Sequence, residues 1–72
     1  MAPEKMVTMA NQIATFFGTQ PGGGQAAEVA GHLTAFWEPR MIRRLLLHLD
    51  AGGEGLSPLA REAAGRLRAP PG

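Results

Sequence analysis

Cysteine is absent from the 72 residues, and so is tyrosine. Without thiols the chain can form neither a disulfide nor a thiolate metal site, so no covalent or metal staple supplements its core. Two histidines, His32 and His48, are too few for a structural zinc site unless several carboxylates stand beside them. Charge of one sign is also lacking. Seven basic and six acidic residues leave a formal charge of +1, too little to build a global field for nucleic acid or a membrane surface. No apolar run approaches the roughly 20 residues of a membrane span. Met1 to Ala10 mixes Lys5 with Glu4 and has no continuous apolar core, so it does not read as a secretory signal. A chain this short makes one domain at most, here residues 1–72, and a core of this size rarely leaves more than about 3–5 kcal/mol of net stability. The simplest reading is a cytoplasmic chain indifferent to redox state.

What the sequence has is concentrated in one stretch, from Phe36 to Leu49. It contains the only tryptophan, the densest positive charge and the longest apolar run. Pro39 lacks an N–H and has a fixed φ, so it belongs in the first turn of a helix rather than inside one. Trp37 and Glu38 then end one helix or form a tight corner. Ile42, Leu45, Leu46 and Leu49 recur at i, i+3, i+4, i+7, the signature of one helical face. Leu47 falls off that face and widens the apolar stripe beyond the needs of a single core.

The remaining segments predict three more helices. Pro3 and Glu4 suit a first turn, proline for its φ and glutamate for the helix dipole. Met6, Met9, Ala10, Ile13 and Phe17 follow at helical spacing, and Gly18 is placed to stop the helix in a left-handed conformation. The neighbours Phe16 and Phe17 cannot share one groove, which leaves one of them for contact outside the domain. Residues 19–25, with Pro21 and three glycines, read as a flexible linker. They lack the strand and the Lys-Ser/Thr that a phosphate loop requires. Gln25 to Trp37 carries Ala26, Val29, Ala30, Leu33, Phe36 and Trp37 on one face, with Gly31 there to let another backbone approach. Gly52 or Gly53 closes the third helix, and His48 near its end meets the negative end of the dipole. Leu56-Ser57-Pro58 is a strong restart, with Ser57 as N-cap and Pro58 at the first helical position. In the fourth helix Leu59, Ala60, Ala63, Ala64 and Leu67 face inward, opposite Arg61, Glu62 and Arg68. Residues 69–72 predict an extended or frayed tail. The fold class is all-α, a small bundle of about four short helices with a Pro/Gly linker after the first.

The chemical inventory excludes more than it admits. There is no paired-carboxylate cluster and no His-Glu-x-x-His spacing, and Ser57 is explained as a cap. A catalytic constellation needs nucleophile, base and stabiliser converging in a pocket, and this residue set supplies none of them, nor any cofactor or metal ligands. His32 reads as a structural histidine, since no Asp, Cys or second His stands at a supporting spacing. Arg40, Arg43 and Arg44 form a basic patch on the third helix. It reads equally as a solvated helix face and as a site for a carboxylate-rich partner, with phosphate a weaker third option.

Three blocks of the sequence carry a family resemblance. The segment from Pro3 to Phe17 (with Met9-Ala10-Asn11-Gln12-Ile13-Ala14 and Phe16-Phe17) resembles the start of the delta subunit of NAD-dependent formate dehydrogenase. His32-Leu33 followed by Phe36-Trp37, Pro39-Arg40-Met41, and then Gly55 to Ala63, resemble its later blocks in the same order and spacing. The resemblance implies the small subunit of a soluble molybdenum or tungsten enzyme that passes electrons from formate to NAD⁺. It implies a large subunit holding a bis-pterin metal cofactor and iron–sulfur clusters, and another holding FMN and the nicotinamide site. The delta subunit would carry no cofactor and no catalytic residue. Its implied role is assembly and stability of the complex, extending to insertion or retention of the metal cofactor.

On this reading Phe36, Trp37 and Leu47, with the Arg40, Arg43 and Arg44 face, bury against the large subunit, aromatics and arginines being the usual anchors of interfaces. Two alternatives stand beside it. One is a chaperone that leaves the mature enzyme. The other is a helix-turn-helix module reading nucleic acid with the third helix, against which the near-neutral charge and the leucines among the arginines argue.

Overall fold

The computed structural model describes residues 2–68, so the tail expected at 69–72 lies outside the described residues. Within them the chain forms α1 (Pro3–Gly18), α2 (Gln25–Phe36), α3 (Pro39–Asp50) and α4 (Pro58–Arg68), and no strand. The fold class is the all-α bundle that the periodicities predict.

The prolines that begin helices stand where a missing N–H costs nothing. Pro3 and Pro39 occupy the first turns of α1 and α3. Glu38, restricted by the following proline, is extended at φ −67°, ψ 148°. The α2–α3 corner is therefore only two residues long. Ser57 caps α4 as its spacing predicts: its Oγ accepts from the N–H of Ala60 at 3.2 Å. At the end of α3 the N–H of Gly52 donates to the Leu49 carbonyl and that of Gly53 to the His48 carbonyl, at 3.1 and 2.8 Å. This paired closure is the Schellman motif, and both glycines have positive φ (120° and 64°). Gly18 behaves differently from the expectation. It is the last residue of α1, without a left-handed φ, and the cap is Thr19 in the right-handed region. Its lack of a side chain serves packing instead, because a Cβ there would stand 3.3 Å from Cδ2 of Leu59.

The core is built from small side chains. Seven of its thirteen buried apolar residues are alanines, and the largest fully buried side chains are only Leu33, Leu45 and Val29. Small faces let helix backbones come close. The most extensive pairing is α2 with α4, where Ala26 and Ala30 and the Ala60, Ala63, Ala64 face are buried. α1 lies across both through Met6, Ala10 and Ala14, and α3 reaches the core mainly through Leu45. Trp37 is in this core at 8% exposure. It continues the Val29–Leu33 row at i+4 and i+8, whereas Phe36 continues His32 and stays outside at 74% exposure.

Asn11 and Arg61 help to hold the loop before α4. The Asn11 amide donates from Nδ2 to the Gly55 carbonyl and accepts from the Ser57 N–H at Oδ1, both at 2.9 Å. The Arg61 guanidinium donates to the carbonyls of Gly52 and Gly53, each at 2.9 Å, and so satisfies acceptors just past the α3 C-terminus. A Cβ on Gly53 would lie 2.9 Å from that guanidinium, a second reason for glycine there.

Candidate interaction surface

Six side chains were candidates for partner contact, and the fold separates them. Trp37 is withdrawn from the surface, its area already buried within the chain. The reason is the extended corner it occupies (φ −91°, ψ 142°), with its N–H still bonded to Leu33 as the last turn of α2 closes. Of the other five, Phe36 lies in one region and Arg40, Arg44 and Leu47 in another, at opposite ends of α1, while Arg43 is exposed outside both.

The first region is an aromatic row near the C-terminal end of α1. Phe16 is the outward-facing member of the adjacent pair, at 61% exposure, and Phe17 packs against the core. Their rings meet edge to face with centroids 5.2 Å apart. Phe17 meets the His32 ring at 5.8 Å, and His32 meets Phe36 at 4.5 Å. Edge-to-face and offset ring contacts at these separations add a modest attraction to the area they bury. His32 is thus a link between α1 and α2 rather than an isolated acid–base group. A small hollow opens beside it, lined by Gln12, Ile13, Phe16, Phe17 and His32.

The second region is a groove between the N-terminal end of α1 and the outer side of α3. Pro3 and Met6 form one wall, and Met41, Leu47 and His48 the other, with Arg40 and Arg44 also lining it. Its volume is about 470 Å³. Leu47 is 67% exposed, so it is the apolar surplus that the sequence pattern identified. The His48 ring is fixed by donating from Nε2 to the Glu54 carbonyl at 2.8 Å, beyond the end of its own helix. Arg43 is exposed on the same helix. From Met6 to Phe16 the two regions are about 15 Å apart along α1, ten residues at the helical rise of about 1.5 Å.

Sequence reasoning missed Asn11 and Arg61 as structural residues. Asn11 acts on positions 44 and 46 residues away, and Arg61 reaches back across a loop to carbonyls eight and nine residues before it, and no helical periodicity encodes either contact. The aromatic row was half legible: the Phe16–Phe17 adjacency required one ring to leave the core, but nothing in the spacing tied either to His32.

Among the described residues no three His, Cys, Asp or Glu side chains come together to hold a metal ion. No described helix is long and apolar enough to cross a membrane. No buried side-chain polar atom among the described residues is left without a partner.

No curated protein matches this chain. The three blocks that resembled the delta subunit now have physical links between them, since Asn11 of the first bonds Gly55 and Ser57 of the third, and Trp37 of the second lies in the same core as Met6 and Leu56. All of those residues fall within positions 5–64, the span matched by the family of the NADH-dependant formate dehydrogenase delta subunit FdsD, and the chain belongs to that family.

Proposed function

We propose that this chain is a non-catalytic subunit that supports assembly and stability of a cytoplasmic NAD-dependent formate dehydrogenase, docking on the large subunit through Phe36, Leu47 and the Arg40, Arg43, Arg44 face. The observation that carries the reading is that large apolar side chains are left outside a closed core, Phe36 at 74% and Leu47 at 67% exposure, with Phe16 beside Phe36 in the aromatic row at 61%. Residues 1–72 act as one helical unit, with residues 19–25 as its flexible linker. No cofactor is held in this chain. Its effect on the metal cofactor of the large subunit, through insertion or retention, is indirect and follows from binding that subunit and the neighbouring flavin and iron–sulfur subunits.

The test is a tagged pull-down of the full chain from its native cell. The eluate is assayed for formate-dependent NAD⁺ reduction and for bound molybdenum or tungsten. Active, metal-loaded enzyme in fixed proportion to the tag is the expected result. A large subunit without metal or activity would replace the permanent subunit by a maturation chaperone that dissociates. Recovery of no large subunit would overturn both.

A further inference from the structure

The groove between α1 and α3 differs from the aromatic row in having an ordered charge pattern. On the α3 side stand Arg40 and Arg44, one helical turn apart. Past Pro3 and His48 the surface runs into a neighbouring hollow that shares those two residues and is lined by Glu4 and Glu54. Arg40 and Arg44 thus line the apolar groove itself, and Glu4 and Glu54 line the hollow into which it continues past Pro3 and His48. We propose that this groove receives an amphipathic segment of the partner that places a large apolar side chain against Met41 and Leu47. Its carboxylates lie over Arg40 and Arg44, and its cationic group over Glu4 and Glu54.

Three features favour that occupant. An apolar side chain covers the exposed part of Leu47, which gains from leaving water. Carboxylates are matched by guanidinium groups, whose planar fork can bind them bidentately. The opposite charge in the adjoining hollow sets the direction in which the segment lies, because reversing it would bring like charges together at both ends. A nucleic-acid backbone would satisfy the arginines but would meet Glu4 and Glu54 and leave the apolar lining uncovered. Recognition of an amphipathic segment by an apolar groove is a common mode of binding between proteins. The inference rests on the proposed docking reading only for the identity of the protein that supplies the segment.

The test uses the purified full chain and three dye-labelled helical peptides that share one leucine–phenylalanine face. One carries glutamates at one end and lysines at the other, the second glutamates at both ends, the third lysines at both ends. Binding is read by fluorescence anisotropy and located by amide chemical shifts. The mixed peptide is expected to bind tightest, with shifts at Met41, Leu47 and His48. Leu47→Ser and Arg40→Glu should each weaken it by at least about tenfold, the size of losing one interface anchor, with unchanged helical circular dichroism. Equal binding of all three peptides, binding of none, or shifts centred on Phe16 and His32 would overturn the proposal. So would displacement by a DNA duplex, or dimerisation of the chain abolished by Leu47→Ser. The peptide series needs no other subunit. Selective peptide binding with a failed pull-down would reject the large subunit as partner and keep the groove. A successful pull-down without peptide selectivity would reject the groove and keep the subunit.

Discussion

α2 with α4, and α3 by itself, use apolar residues in opposite ways. In the first pair five of the seven buried side chains among the described residues are alanines, Ala26, Ala30, Ala60, Ala63 and Ala64, packed beside Val29 and Leu33. α3 contains four leucines, yet only Leu45 is fully buried, while Leu46 and Leu49 are half-buried and Leu47 is mostly exposed. Small residues facing each other give a pairing that is specific in geometry and leaves little to spare. Large residues on a helix that touches the core along one edge leave area uncovered. The first arrangement fixes the fold, and the second leaves exposed the apolar area that the proposed docking would cover. A chain with so little interior volume has few other ways of holding a large apolar side chain.

The sharpest way to break this comparison is to remove the same side chain from each region. Leu33→Ala empties a position that is 1% exposed, which typically costs about 2–5 kcal/mol. A domain of this size rarely has more than about 3–5 kcal/mol in total, so the variant should lose most of its stability and show a large unfolded fraction at 25 °C by far-UV circular dichroism. Leu47→Ser, at 67% exposure, should stay within about 0.5 kcal/mol of the parent and lose only partner binding. Equal melting losses for the two would mean that α3 belongs to the core as fully as α2 does. Trp37→Ala belongs with Leu33→Ala: any release of this variant from the complex follows from unfolding, since the indole is buried within the chain.

A smaller effect separates the helices from the loop that orients them. Asn11→Ala removes both hydrogen bonds that fix Gly55 and Ser57, at a cost of about 1–2 kcal/mol if the freed groups are partly rehydrated. The helices themselves remain. Amide exchange should therefore accelerate first at Ser57, while Leu33 and Ala63 keep their protection relative to the global stability. Uniform acceleration across the chain would show that the loop and the bundle unfold as one unit.

These residues also mark what the sequence made legible. The order of helices, the N-cap at Ser57, the closure at Gly52 and Gly53 and the surplus leucine of α3 are all local signals, carried within one or two helical turns, and each is found in place. Phe36 and Trp37 were grouped because a wheel resolves neighbours poorly at the end of a helix, where the following Glu38–Pro39 corner decides which ring turns inward. The Asn11 bridge and the Arg61 contacts depend on how separate segments meet. Gly31 was read as a place for a backbone to approach, but within the chain a Cβ there would meet nothing within 4 Å.

That open position gives the smallest test, and it bears directly on where the partner lies. Gly31 is an exposed residue inside α2, and Gly65 is its counterpart in α4, with the same empty surroundings. Alanine at either should stabilise the isolated chain by about 0.5–1 kcal/mol, raising the melting temperature by a few degrees, at roughly 4–8 °C per kcal/mol for a domain of this size. If both variants also recover the large subunit at the parental level, neither outer face is closely covered, and docking is confined to α3 and the aromatic row. If Gly31→Ala melts higher yet loses the partner while Gly65→Ala keeps it, the outer side of α2 is in backbone-close contact within the complex. Gly31 lies beside His32 in α2, so that outcome would extend the docking surface from the aromatic row along α2 and make the α1–α3 groove one of two attachment points rather than the whole interface.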